Sequence, residues 1–391
     1  MYARVSLSPK FRPTLSRGGR RRVLMAATVL TGAVMTAGAL FPSAASAAKP
    51  DAVQKSLDTL VREDRVPAAL ASVVDREGRT RVYTAGVGDL RTGAKVPKDG
   101  QVRAGSNTKA FTAVVVLQLV AEKKVGLDAP VDTYLPGLLR GDGIDGRHIT
   151  VRQLLQHTSG LPEYVDKPAI LKDPQRYFEP RELLDAALAQ KAHFAPGEKW
   201  EYSNTNYLVA GLIVQKVTGR PLGEEINRRI VDRIGLRHTY FPTPGDMAID
   251  ESHPKGYHRD TADSPWREIT ELDPSWGWAA GAVISTNSDL NRFFSALLGG
   301  KLLPPAQLAE MRTTVPTEGA GQGVRYGLGL TSTPLSCGGV YWGHGGTIPG
   351  YFTLGGVRED GRAINIALTS IPADDATMQQ AQTAVETALC R

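Results

Sequence analysis

Hydrophobic and polar positions alternate in two distinct periods along this chain. Val53, Leu57, Leu60 and Val61 recur at helical spacing and predict an amphipathic helix over residues 52–62. Residues 69–74 and 80–87 read as strands, with Asp75-Arg76-Glu77-Gly78 as the turn between them. Residues 107–122 are apolar on every face (Phe111, Val114, Val115, Leu117, Leu119, Val120), the pattern of a buried helix. From 126 to 265 the character changes to helical segments separated by Pro, Gly and charged loops. Thr150 and Gln153 form a capping box for a short helix. Residues 181–188 and 206–217 are two more helices, the second ended by Gly219-Arg220-Pro221. Strand patterns return at 281–285, 339–342, 351–357 and 363–369, the last two joined at Glu359-Asp360-Gly361, and a final helix spans 375–389.

Strands at both ends with helices between them predict an α/β (α+β) fold. One antiparallel sheet is built from both chain ends and flanked by helices. The expected division is a signal peptide over 1–47, a sheet-containing lobe from 48–125 and 266–391, and a mostly helical lobe over 126–265. No internal repeat or long low-complexity stretch is evident.

Composition adds little beyond a globular class: 391 residues, 41% hydrophobic and 22% charged. The formal charge of +6 says more once it is located. Residues 1–47 hold seven basic and no acidic residues, which leaves 39 basic against 40 acidic in the remainder. The basicity belongs to the leader, and nothing in the rest argues for nucleic acid. Arg20-Arg21-Arg22, an apolar run from Val23 to Phe41 and Ala45-Ser46-Ala47 have the order of an export signal cleaved before Ala48. An uncleaved anchor is the alternative, and general and twin-arginine export both fit. The expected location is secreted, off the membrane after cleavage. Cys337 and Cys390 are the two cysteines, and in an exported chain such a pair reads as a disulfide rather than two free thiols.

Three short elements carry candidate chemistry. Ser106-Asn107-Thr108-Lys109 opens the buried helix, with Ser106 and Lys109 one turn apart on one face. A serine hydroxyl needs a neighbouring base, and Lys109 either serves as that base or holds another one ionised. Tyr202-Ser203-Asn204 precedes a helix, and a tyrosine serves as a base only if cations lower its pKa. His344-Gly345-Gly346-Thr347 ends a strand, where glycines let a substrate backbone approach and a backbone N–H completes an oxyanion hole. Each element alone is short enough to arise by chance, as a helix cap, a packed aromatic or a glycine turn.

Together they resemble the penicillin-recognising serine hydrolases. The class C β-lactamase-related branch is the nearest match, and within it the secreted Streptomyces D-alanyl-D-alanine carboxypeptidases. The landmarks are residues 131–138, Leu154-Leu155-Gln156-His157-Thr158-Ser159-Gly160-Leu161, residues 202–207, 280–285 and 326–330, and the segments around Cys337 and Cys390.

The resemblance implies a serine-type D-Ala-D-Ala carboxypeptidase that forms an acyl-enzyme on Ser106 and is acylated by β-lactams. Tyr202 would move protons, its pKa lowered by Lys109. His344 would be a weak, titratable cation over the substrate carboxylate. The N–H groups of Ser106 and Thr347 would hold the oxyanion, Asn204 the substrate amide, and Trp276 would wall the pocket beside Gly345 and Gly346. Trp200 and Trp278 are further candidates for the wall, and His157 reads as structural. No cofactor and no metal are implied, and a monomer acting on small acyl substrates is expected. Two departures loosen the substrate: Gly345 replaces a threonine, and Thr331 replaces the arginine that grips the terminal carboxylate, with Arg325 a nearby substitute. An esterase, a β-lactamase or a D-amino-acid amidase are the rivals, and a non-catalytic penicillin-binding module a more distant one.

Overall fold

The computed structural model describes residues 51–63, 66–165, 171–261, 263–319 and 321–391. The expected export signal lies outside the described residues.

The core of the fold is an antiparallel sheet. Its order runs Val315–Pro316, Arg325–Tyr326, Thr331–Pro334, Val340–Gly343, Tyr351–Arg358, Ala363–Leu368, Ala68–Val74, Thr80–Asp89 and Ala94–Lys95. Gly346–Ile348 adds a second partner to Tyr351–Arg358. Ala69 faces Leu368 and Val74 faces Ala363, so the two chain ends meet in the middle of the sheet as the pattern predicted.

Both faces of this centre are covered, which is why Ala363–Leu368 is buried at every position. On one face Ala69, Ala71, Ile364, Ile366 and Leu368 pack with Val53, Leu57 and Leu60 of the helix Ala52–Arg62 and with Ala381, Val385 and Leu389 of the helix Asp375–Leu389. The helix Asn287–Leu298 packs against Ala68–Val74 and Ala363–Leu368, and Asn291 Nδ2 donates to the Ser72 carbonyl at 2.8 Å. Cys337 and Cys390 form the disulfide, Cα–Cα 5.7 Å, clipping the end of the terminal helix to the turn before Val340–Gly343.

The helix Thr108–Ala121 is buried along nearly its whole length, against the helices Asn204–Thr218, Leu222–Ile226 and Pro305–Arg312. The Thr150/Gln153 capping box is present on Val151–Gln156. The expected strand at 281–285 shrinks to Ile284–Ser285, which pairs with Val102–Arg103 outside the main sheet. Trp278–Gly281 before it is a helical turn. Among the described residues, no helix is long and apolar enough to cross a membrane.

Candidate active site

Val102–Arg103 delivers the chain to Gly105, whose φ of +54° lies in the left-handed region open to glycine. Ser106 is then not the cap of the α-helix but the middle of a 3-10 turn, Gly105–Asn107, that runs straight into it. Asn107 Nδ2 donates to the Ala104 carbonyl at 2.9 Å and to Thr353 Oγ1 at 2.8 Å, and Thr108 Oγ1 donates to the Gly105 carbonyl at 2.8 Å. The turn is thereby tied to Tyr351–Arg358 from the far end of the chain.

Gly346 lets the two segments touch. A Cβ there would lie 2.0 Å from the Ala104 carbonyl oxygen and 2.4 Å from Thr353 Oγ1. Gly346 is therefore a packing residue and does not line the cavity, whereas Gly345 and Thr347 do. A Cβ on Gly105 would sit 3.0 Å from the Thr347 nitrogen, which brings the Thr347 N–H to the serine turn.

Lys109 is fully buried, its Nζ 3.1 Å from Ser106 Oγ, 2.6 Å from Asn204 Oδ1 and 2.9 Å from the Ala280 carbonyl. Burial pushes its pKa down to about 7, against the pull of Glu163. Near neutral pH a large share of it is therefore the free amine. Two N–H bonds then satisfy Asn204 and Ala280, and the lone pair is left for the Ser106 hydroxyl.

Tyr202 moves the other way. Removal from water raises its pKa, a hydrogen bond with Ser106 opposes this, and the Glu163 carboxylate raises it further. Lys109 Nζ lies 4.8 Å from the ring centroid, yet the phenol keeps its proton. The expected lowered pKa is corrected by burial.

His344 is also corrected. Its Nδ1–H donates to the Gly345 carbonyl at 2.5 Å, so Nε2 accepts from the Tyr326 hydroxyl at 3.0 Å. Burial, then the Lys109 charge, push its pKa down to about 3. It is a neutral wall residue, not a cation.

Glu163 escaped the sequence reading. Its Oε2 accepts from the Asn204 backbone N–H at 3.0 Å and from Nδ2 at 2.7 Å, and Oε1 accepts from the Val165 N–H at 3.0 Å. These bonds fix the Asn204 amide so that its oxygen faces Lys109. Only the sequence Gly160-Leu161-Pro162-Glu163, a carboxylate just after a turn, hinted at it.

Ser106, Tyr202, Asn204, His344 and Thr347 open on one cavity of about 490 Å³. Tyr164, Val165, Leu171, Trp276, Ile348 and Ile371 form its apolar walls. Trp276, named from the sequence as a wall residue, lies in this lining. Trp278 instead packs on Gly211, and Trp200 stands behind Tyr202 with ring centroids 6.4 Å apart. Glu163 is the one Asp, Glu, Lys or Arg in the lining, among the described residues. Thr331 is turned to the Gly343 carbonyl at 2.8 Å, and the Arg325 guanidinium to Thr314, with Nε at 2.8 Å from its hydroxyl. Neither reaches the cavity. Among the described residues, no group of His, Cys, Asp or Glu is arranged to hold a metal ion.

A buried lysine on a serine turn, against the edge of a sheet made from both chain ends, defines a serine hydrolase of the β-lactamase fold. The chain belongs to the beta-lactamase family, whose model matches residues 53–388. It is similar to a D-stereospecific amidohydrolase from Streptomyces sp., 40% identical with TM-score 0.78, over 85% of this chain and 97% of that one. It is also similar to the D-amino acid amidase of Ochrobactrum anthropi SV3, 26% identical with TM-score 0.77, over 86% and 96%. Esterase EstB of Burkholderia gladioli is 34% identical over 53% of this chain and 56% of its own. The chain spans 61% and 38% of the length of the first two curated relatives it matches. The relatives named are amide and ester hydrolases, so the family expectation stands and the sharper likeness to carboxypeptidases is not what they carry.

Proposed function

We propose that this protein hydrolyses amides, and more readily esters, of D-amino acids that have a free amino group and an apolar side chain. The observation that carries this reading is the Glu163 carboxylate in a cavity with no cation to face a substrate carboxylate. Such a site favours an ammonium and repels a carboxylate. The apolar walls suit an aromatic or branched side chain. The D configuration rests on the Streptomyces and Ochrobactrum relatives. A D-Ala-D-Ala carboxypeptidase takes second place, because Thr331, His344 and Arg325 leave the terminal carboxylate without a cationic partner.

In the proposed reaction Lys109 takes the Ser106 proton as Oγ attacks the acyl carbon, and the N–H groups of Ser106 and Thr347 hold the oxyanion. Tyr202, still protonated, gives its proton to the leaving nitrogen as the C–N bond breaks. The resulting phenolate is stabilised by the Lys109 ammonium. Water then attacks the ester and yields its proton to Tyr202, and Lys109 returns a proton to Ser106 as Oγ leaves. We place this activity outside the cytoplasm, where a disulfide persists, in a monomer.

The test compares D-phenylalanine amide, its N-acetyl derivative, the L enantiomer and N-acetyl-D-Ala-D-Ala. The free-amine D-amide should exceed the N-acetyl form roughly tenfold to hundredfold in kcat/KM, the worth of one charge-assisted hydrogen bond. Glu163→Gln should erase most of that margin. A preference for N-acetyl-D-Ala-D-Ala would overturn the amidase in favour of the carboxypeptidase.

A further inference from the structure

We infer that His157 is a positioning residue that fixes the Tyr202 phenol over Ser106. The sequence reads this histidine as part of the scaffold, but of the rings around it Tyr202 is the one it stacks on and also brackets with hydrogen bonds. The His157 carbonyl accepts from the Glu201 N–H at 3.0 Å, and its Nδ1 accepts from the Ser203 N–H at 3.2 Å. The residues on either side of Tyr202 are thus held by one residue. Between these two bonds the imidazole stacks on the Tyr202 ring, centroids 4.3 Å apart and planes 30° apart.

The clamp itself is immobilised. His157 is fully buried and adopts a left-handed backbone, φ 61° and ψ 38°, at the end of Val151–Gln156. Asn206 Nδ2 also donates to Nδ1 at 3.1 Å, and Asn206 Oδ1 is pinned by the Ser159 hydroxyl at 2.5 Å. Two donors on Nδ1 leave the ring proton on Nε2, which is buried with no partner among the described residues. Imidazole combines a flat face for stacking with an in-plane acceptor for the Ser203 N–H. Tyr326 also meets the ring edge-on, centroids 4.9 Å apart, while donating to His344. Tyr202 therefore rests on a ring that also touches the tyrosine bonded to His344.

This inference rests on the proton role proposed for Tyr202, and the experiment separates the two. His157→Asn keeps a short acceptor and tolerates the left-handed backbone but removes the ring face. Rates are measured on D-phenylalanine amide, whose leaving nitrogen needs a proton, and on p-nitrophenyl acetate, whose leaving group does not. Rates are normalised to the p-nitrophenol burst, so unfolded protein lowers the amplitude rather than the rate. The amide kcat should fall ten- to hundredfold, as for a displacement of about 1 Å. The ester acylation rate, read as the rate constant of the p-nitrophenol burst, and the amide KM should stay within about threefold. Added to Tyr202→Phe, His157→Asn should cost little more, because the group it positions is already gone. Equal losses on both substrates, no loss on the amide, or the same further loss in the double variant would each overturn the positioning role. If Tyr202→Phe itself keeps full amide activity, the proton assignment to Tyr202 fails first. Any loss in His157→Asn then refutes a route through that hydroxyl. His157→Gln gives the same comparison should His157→Asn yield no folded protein.

Discussion

Lys109 ties the reaction to pH. Below about 7 it holds its proton and cannot accept one from Ser106, and above that it is the free amine. The acylation rate should therefore rise close to tenfold per pH unit on the acid side and level off above about 7. Stopped-flow acylation from pH 5 to 9 reads this directly, and a flat profile would refute the lysine as base. Lys109→Met should cost roughly 10²- to 10⁴-fold in the same assay. His344, already neutral above about 3, should add no step near the ordinary histidine value, and His344→Gln should leave the limb in place. The three short motifs were legible because the chemistry needs those residue types at set separations. The charge states were not. Side-chain type assigns His344 and Tyr202 their ordinary pKa values, and burial overrides both. Glu163 was invisible for another reason: its meaning depends on Asn204 being folded onto it from 41 positions away.

Among the elements, the crossing of the serine turn and Gly346–Ile348 is the least tolerant place. Gly346→Ala puts a methyl against the Ala104 backbone at 2.0 Å, and backbone cannot yield as a side chain tip would. The expected cost is about 1–3 kcal/mol in stability and a loss of most turnover, as Ser106 and Thr347 are pushed apart. Gly345→Ala meets its nearest neighbour, the Thr353 carbonyl oxygen, at 3.4 Å and should be mild in both respects. Thermal melts and kcat on the two variants decide this, and equal effects would count against the crossing. The helices Ala52–Arg62 and Asp375–Leu389 were readable because each buries a single stripe against the sheet. The short strands Val315–Pro316, Arg325–Tyr326 and Thr331–Pro334, toward one edge of the sheet, were not. They are two to four residues long, rich in Pro and Thr, and too short to show an alternation.

For the whole molecule, two features govern endurance. The disulfide closes a span of 53 residues, worth about 4 kcal/mol through the unfolded chain. No residue of the bridge lines the cavity, so a double serine variant should lose about that much in denaturant titration while its folded fraction keeps full kcat. A loss below about 1 kcal/mol would show that the entropic account fails here. Acid is the second limit. His157 and His344 both bind protons less readily folded than unfolded, through burial and then the Lys109 charge. Below the unfolded value of 6.5 the unfolded chain takes up protons the folded one refuses, so stability present above that pH is lost on the way down, in the case of His344 until about 3. Each group contributes a slope of up to about 1.4 kcal/mol per pH unit, and His344→Gln should remove its share. The placement of Ala68–Val74 beside Ala363–Leu368 has a consequence in time rather than space. A chain emerging from the ribosome presents Ser106, Lys109 and Tyr202 long before Thr347 and its strand exist. The hydrolase stays silent until this later-made stretch docks, so a fragment abandoned before it carries the nucleophile but no means of using it.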